Sequence, residues 1–292
     1  MIGITGATGH LGREVISNLG GLKLAAERIL ACTRHPQTAA FPGGLVDEVR
    51  QADFSDMTSL YEAFGGVKTL LLISVEGNDD DRIRLHSNAV TAARHAKVER
   101  IVYTSFFDVD PTSPSEVARV HRLTEECVMA SGCAWTFLRN GPYVDNIARR
   151  IADASQADGV FRMASGDARL PFIARSDLAE AAARALTQGT PGNHTYRLSG
   201  AELLSYAELA TLVGDAIGEP LTYLPVSDDE YRQLLRQEGL PPELEGRRIA
   251  YSRAMRAGFM TALTNDFVGL VGRAPRRIRD VLTTIALRGV GS

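Results

Sequence analysis

Three glycines at intervals of three, Gly6, Gly9 and Gly12, follow the apolar start Met1-Ile-Gly-Ile. They precede Arg13-Glu-Val-Ile-Ser-Asn-Leu19, whose apolar residues recur at helical spacing. A chain written this way leaves a strand, turns sharply and enters a helix within a few residues. The order strand, glycine loop, helix constrains everything that follows it.

The physical use of such a loop is to let an anion come within hydrogen-bonding distance of backbone N–H groups at a helix N-terminus, where a Cβ would obstruct it. Gly6 permits the turn off the strand, Gly9 the close approach of a pyrophosphate, and Gly12 the packing of the helix on the sheet, with Leu11 facing the core. The spacing is G-x-x-G-x-x-G, wider at its start than the G-x-G-x-x-G of many dinucleotide sites. The rival reading is a glycine-rich turn that only joins two elements.

The residues after the loop repeat the strand-and-helix theme. Apolar runs at 28–33, 46–51, 68–73, 100–104 and 134–138 have strand length, and helical spacing occupies 57–64, 82–97 and 114–131. This alternation predicts an α/β fold of Rossmann type, a doubly wound parallel sheet. The second run ends in Arg34-His35-Pro36. In a dinucleotide fold that edge meets the adenosine ribose, where an Asp or Glu would bind the 2′-OH. An arginine there can instead make a charge-assisted contact with a 2′-phosphate, with His35 as a further donor. A surface arginine that only caps the strand end is the alternative. Asp53 and Phe54 leave the third strand at the same edge, placed to accept an adenine amino group and to lie along the base, while Ser55 or Asp56 caps the next helix.

Beyond residue 140 the pattern becomes a smaller C-terminal lobe of mixed α/β character, mainly helical, and the domains divide at 1–140 and 141–292. Expected elements are helices at 145–154 and 176–186, strands at 170–173 and 195–198, a helix to 217 opened by the capping box Ser205-Tyr-Ala-Glu208, and helical structure over 226–267. Tyr231, Leu234, Leu235, Tyr251, Met255, Phe259 and Met260 suit a flat hydrophobic pocket, core packing or a homodimer surface equally well.

Composition sets limits. The chain has 292 residues, 45% of them hydrophobic and 23% charged, with net charge −3 and a pI near 6.1, so neither a nucleic-acid footprint nor a membrane-binding surface is expected. The local basic group Arg273, Arg276, Arg277 and Arg279 reads as a solvated helix face. Cys32, Cys127 and Cys133 have no metal-binding or paired spacing and read as reduced thiols of a cytoplasmic protein, Cys32 in a core strand. The start of the chain lacks the pattern of a signal peptide.

Four segments together resemble the NmrA-like group of atypical short-chain dehydrogenases/reductases: the glycine loop, Asp53-Phe54, the strand end Tyr103-Thr-Ser105, and Phe137-Leu-Arg-Asn140-Gly-Pro-Tyr143. Within that group the chain is most similar to NADPH-dependent type-2 quinone oxidoreductases and triphenylmethane dye reductases. The segments Ser227-Asp-Asp-Glu-Tyr231, Gly239-Leu-Pro and Gly272-Arg-Ala-Pro275 extend the likeness through nearly the whole chain. The resemblance implies NADP(H) as cofactor. It would be held by Gly6, Thr8, Gly9, His10, Leu11 and Gly12 of the loop, by Arg34, His35, Asp53 and Phe54 at the adenosine end, and by Ile73, Ser74, Thr104, Ser105 and Asn140 towards the nicotinamide. It also implies a catalytic group of His121, Asn140 and Tyr143, with the 139–143 turn over the nicotinamide.

Ordinary short-chain dehydrogenases use a tyrosine and, four residues later, a lysine on the helix after the fifth strand. Aligned on Glu125-Glu126 and on 135–138, those positions fall on Val117 and His121. The implied reaction is hydride transfer to a small planar hydrophobic acceptor such as a quinone, which needs proximity and orientation more than acid catalysis. His121 is then a proton donor, a ribose contact or a packing residue. A non-catalytic NADP(H)-binding redox sensor and a tailoring reductase of secondary metabolism are the alternatives. No metal is expected.

Overall fold

The computed structural model describes residues 1–22, 28–189 and 192–289. Its first half alternates strictly: β1 (Ile2–Ile4), α1 (His10–Gly21), β2 (Ile29–Thr33), β3 (Glu48–Gln51), α2 (Met57–Phe64), β4 (Thr69–Leu72), α3 (Asp79–His95), β5 (Arg100–Phe106), α4 (Glu116–Ala130) and β6 (Ala134–Asn140). Local chemistry sets the boundaries. Asp56 caps α2 by accepting the N–H groups of Thr58 and Ser59, and Asn78 caps α3 by accepting that of Asp81. Asp79, Asp80 and Asp81 lie in the first turn of α3, at its positive end.

The second half holds α5 (Val144–Asp153), β7 (Val160–Met163), β8 (Arg169–Leu170), α6 (Arg175–Thr187), β9 (His194–Leu198), β10 (Leu204–Ser205), α7 (Tyr206–Ile217), β11 (Thr222–Pro225), α8 (Asp228–Gln237), α9 (Pro242–Arg256), α10 (Asp266–Val271) and α11 (Ile278–Gly289). The capping box of Ser205 and Glu208 forms as expected, and a second one, Ser227 with Glu230, opens α8. The helical stretch expected over 226–267 is three helices. The parallel pair β7 with β11 was not foreseen.

The main sheet has seven strands in the order β3-β2-β1-β4-β5-β6-β9, every pair parallel. Its apolar faces are covered by α2, α3 and α4 on one side and by α1, α6 and α10 on the other. That is the doubly wound Rossmann architecture expected from the alternation. The seventh strand and α6 come from beyond residue 140, so the chain enters the second lobe, returns to the sheet and leaves again. The lobe's own core gathers Phe161, Phe172, Tyr206, Tyr231, Leu235, Met255 and Met260. Tyr231, Leu235, Met255 and Met260 are therefore core, not pocket wall or subunit surface.

Arg276, Arg277 and Arg279 of the basic group are exposed as expected, but Arg273 and Arg276 precede the helix and are engaged with a buried acid. Arg273 Nη2 reaches the fully buried carboxylate of Asp177 at 2.7 Å, the Arg276 N–H and guanidinium bind the same carboxylate, and Arg279 pairs with Asp215. Arg273 and Arg276 clasp the segment after α10 to the first turn of α6. Cys32 is buried in β2 as expected, and burial pushes its thiol up to about 12. Among the described residues no helix is long and apolar enough to cross a membrane.

Candidate functional site

The glycine loop lies at the carboxyl edge of β1, between β2 and the central strand β4. Gly6 has φ +59°, a conformation that favours glycine. The Gly9 N–H closes the turn on the Gly6 carbonyl at 3.0 Å. A Cβ on Gly12 would stand 2.4 Å from the Gly6 carbonyl oxygen and 2.8 Å from Ala7 Cα, so only glycine fits. Helix α1 begins immediately afterwards, with Gly9 at its N-cap, no side chain capping it and no acidic residue in its first turn. Its first N–H groups and its dipole are thus available to an anion at this edge.

Two side chains brace the loop. Thr8 Oγ1 lies 3.2 Å from Thr33 Oγ1 at the end of β2. Arg13 donates from Nε to the Thr8 carbonyl at 2.9 Å and from Nη1 to the Ala40 carbonyl at 2.7 Å, tying the segment after β2 to the glycines. Arg13 was missed as a site residue, although its place directly after the third glycine is the available signal. His10 is exposed, whereas the Leu11 side chain is buried in the core.

Arg34 and His35 are exposed just past β2, next to Asp53 just past β3. Hydrogen bonds from the Ser55 hydroxyl and N–H hold the Asp53 carboxyl below its ordinary range, and the charges of Arg34 and His35 add to that. The structure therefore brings these three residues together at one rim. Phe54 is a correction: its ring is buried with Leu60, Ala63 and Phe64 under the sheet and cannot lie along a base.

At the end of β4 the Ile73 N–H donates to Thr5 Oγ1 at 2.9 Å, and the Ile73 side chain packs 3.5 Å from where a Gly6 Cβ would stand. The Ser74 N–H donates to Thr104 Oγ1 at 2.9 Å. Thr104 is thus spent on cross-strand bonding. Ser105 donates to Glu125 Oε1 at 2.6 Å, and Glu125 holds Arg139 through two bonds of 3.0 and 2.6 Å. Both side chains are buried on neighbouring elements and are not aimed at a ligand, a second correction.

His121 is the third. It is 6% exposed, with Nδ1 2.8 Å from Tyr103 Oη and Nε2 3.2 Å from Arg82 Nη2. Arginine only donates, so Nε2 accepts and the proton resides on Nδ1. Burial, then the charge of Arg82, holds the ring well below the ordinary histidine range. A neutral ring with both nitrogens engaged does not donate a proton to an acceptor. His86 follows the same logic: Nε2 accepts the Val75 N–H at 3.1 Å, Nδ1 donates to Thr124 Oγ1 at 2.9 Å, and burial brings its pKa down to about 3.

Asn140, at the end of β6, is 4% exposed, and its Nδ2 donates to Tyr143 Oη at 2.8 Å. Its Oδ1 is buried without a hydrogen-bond partner among the described residues. Burial pushes the Tyr143 phenol up to about 12, too high for an efficient acid at neutral pH. Across the edge, the Phe106 ring lies 5.8 Å from His121 and 6.0 Å from Tyr251 of α9, joining the sheet to the second lobe. A cavity of about 710 Å³, lined by Leu204, Leu212, Arg277 and Asp280 among others, touches none of these residues.

Residues 6–189, which contain the loop, the rim and the strand ends just described, match the model of the NAD(P)H-binding family. The chain belongs to that family. Among its relatives, quinone oxidoreductase 2 of Escherichia coli (strain K12) is 37% identical over 244 residues, 84% of each chain. The NAD(P)H azoreductase of Xenophilus azovorans is 28% identical over 84% of this chain and 83% of its own. The triphenylmethane reductase of Citrobacter sp., solved with NADP(H), superposes with a TM-score of 0.87 at 31% identity, covering 98% of this chain and all of its own. The resemblance drawn from the motifs is borne out.

The residues present fit the family's cofactor. The glycines let the loop and α1 pack where a Cβ would clash, α1 presents an uncapped positive end at this edge, and Asn140 Oδ1 has no hydrogen-bond partner among the described residues. Among the described residues no three His, Cys, Asp or Glu side chains gather as a metal site.

Proposed function

We propose that this protein is an NADPH-dependent oxidoreductase whose acceptor is a quinone or another conjugated planar molecule. The observation that carries the reading is the glycine cradle at the uncapped end of α1, with Arg34 on its rim. The first N–H groups of α1 bind the pyrophosphate and Arg34 binds the 2′-phosphate. Asn140 Oδ1 would accept an N–H of the bound cofactor's carboxamide, while Nδ2 stays on Tyr143. When bound, the cofactor supplies hydride, and the chain supplies proximity, orientation and exclusion of water.

The acceptor class follows from the missing pair. With Val117 and His121 at the positions of the usual tyrosine and lysine, and with His121 locked neutral, no strong acid stands ready to protonate an alkoxide. Electron-poor conjugated acceptors need none, since their reduced anions are stabilised by delocalisation and take a proton from water. The named activities of the relatives, on quinones, azo compounds and triphenylmethane dyes, have that property in common. The partly exposed rings of Phe106 and Tyr251, 6.0 Å apart at the strand ends, suit a flat ring.

The test is consumption of NADPH by the purified protein against a panel of quinones, azo dyes and triphenylmethane dyes. Turnover with at least one class is expected. Binding of reduced and oxidised cofactor with equal affinity and no turnover on any acceptor would replace this reading with that of a redox sensor.

A further inference from the structure

Arg82, in the first turns of α3, is 4% exposed and carries a positive charge between the two lobes. Its Nε–H donates to the Val75 carbonyl at 2.8 Å, and Nη2 donates at 3.2 Å both to Ser74 Oγ and to His121 Nε2. Nη1 is buried and has no hydrogen-bond partner among the described residues. The nearest countercharge, Asp79, stands 3.5 Å from Nη1 in an ion pair without hydrogen-bond geometry, and shares its Oδ1 with Arg247 of α9, also at 3.5 Å.

A buried cation with idle donors is costly, and arginine cannot escape by losing its proton. The fork is nevertheless held rigidly. Val75 and Ser74 fix it from the end of β4, and His121, kept neutral by burial, fixes it from α4 by accepting at Nε2 while Nδ1 faces Tyr103. His121 lies 5.8 Å from the Phe106 ring, which in turn is 6.0 Å from Tyr251 at the strand ends. Nη1, which faces Asp79 at 3.5 Å but makes no hydrogen bond, therefore belongs to a group fixed in advance for an oxygen atom that arrives with a ligand.

We infer that Arg82 Nη1 donates to an oxygen of the bound reactants at the reacting end of the site, and that it supplies the positive charge position 121 lacks. This rests on the oxidoreductase reading above. The oxygen is either a ribose hydroxyl of the cofactor or a carbonyl of the acceptor, and in the second case the charge develops on that oxygen as hydride reaches the ring. His121 and Ser74 are positioning residues that act through Arg82.

Arg82→Gln and Arg82→Lys separate these sources when NADPH affinity is measured by calorimetry beside steady-state kinetics with a quinone and with an azo acceptor that has no carbonyl. A ribose contact predicts NADPH binding weaker by about tenfold or more in Arg82→Gln with the kcat of saturated enzyme little changed, as fits loss of a charge-assisted bond. An acceptor contact predicts unchanged NADPH affinity, a fall in kcat/KM of about tenfold or more with the quinone, and a smaller one with the azo compound. Arg82→Lys keeps the charge and recovers part of either loss. Affinity and kcat/KM both within about threefold of the parent, with only the melting temperature lowered, would show that the guanidinium merely braces residues 74–79. Should Arg82→Gln not fold, Arg82→Lys is judged by the same two readouts. Should the parent protein reduce no acceptor, the oxidoreductase reading fails on that result, and an unaltered NADPH affinity in the variant then overturns the Arg82 assignment as well.

Discussion

Gly12 lies so close to Gly6 that a methyl group on the one would stand 2.4 Å from the carbonyl oxygen of the other. Both contacting partners are backbone, so the strain has no flexible side chain to absorb it. Gly12→Ala is expected to lose about 1–3 kcal/mol of stability, the range for overpacking a tight site. It should also weaken NADPH binding by pushing α1 off the loop. Chemical denaturation and calorimetry check both effects. A variant that melts and binds like the parent would mean that the cradle is not the cofactor's seat.

Arg34 and Asp53 share the rim at the ends of β2 and β3, and only the arginine can meet a phosphate. Arg34→Ala should cost about 1–3 kcal/mol in NADPH binding and leave NADH binding unaltered, the size of one charge-assisted contact. Equal weakening of both cofactors, measured by titration of the native and variant proteins, would make Arg34 a support of the loop and no reader of phosphate.

The sheet and the cradle were legible in the sequence because apolar runs of strand length, glycine spacing and capping residues are local signals. What local signals cannot give is the direction in which a side chain turns at a strand end. Thr104, Ser105 and Phe54 sit at the correct edge, yet Thr104 turns onto Ser74, Ser105 onto Glu125, and Phe54 into the layer under α2. His121 was visible as a departure from the family pattern, but its partners Tyr103 and Arg82 lie 18 and 39 residues away. The same limit hid the pairing of Arg273 and Arg276 with Asp177, so a basic run looked like a solvated face when two of its members close a clasp.

The two buried histidines make a prediction about acid. His86 falls to about 3 and His121 well below its ordinary value, chiefly through burial. In the unfolded chain both titrate near 6.5, so below that pH the unfolded state binds more protons than the folded one. Their neutral forms therefore contribute stability that is fully present above about pH 6.5 and is lost as pH falls towards the folded values. Between pH 7 and pH 5 the loss from His86 should reach on the order of 2 kcal/mol, and His121 adds to it in the same direction. Asp108, raised by burial, works in the opposite sense and offsets part of it. Urea midpoints at several pH values read the slope, and His86→Gln, which keeps a donor and an acceptor for Thr124 and Val75, should flatten it. A parent protein equally stable at pH 7 and pH 5 would contradict the neutral assignment.

The clasp at Asp177 offers the last test, and it concerns stability alone. The carboxylate is fully buried and takes the Arg273 guanidinium at 2.7 Å, the Arg276 N–H at 2.8 Å and the Arg276 guanidinium. Breaking a fully buried ion pair by removing one partner costs about 3–5 kcal/mol because the other is left charged and dry. Here the arginine side chains are 34% and 45% exposed and can rehydrate, so the loss should lie below that range. Asp177→Ala is expected to cost about 2 kcal/mol, with the unpaired Arg276 N–H as the main residual penalty. Because Asp177 starts α6 and the arginines follow α10, the weakening should be local, and protease should cut first near 272–277 while NADPH affinity holds. Global unfolding with no preferred cut would mean that the clasp is part of the sheet's own core, and an unchanged melting temperature would mean that the exposed arginines contribute nothing there.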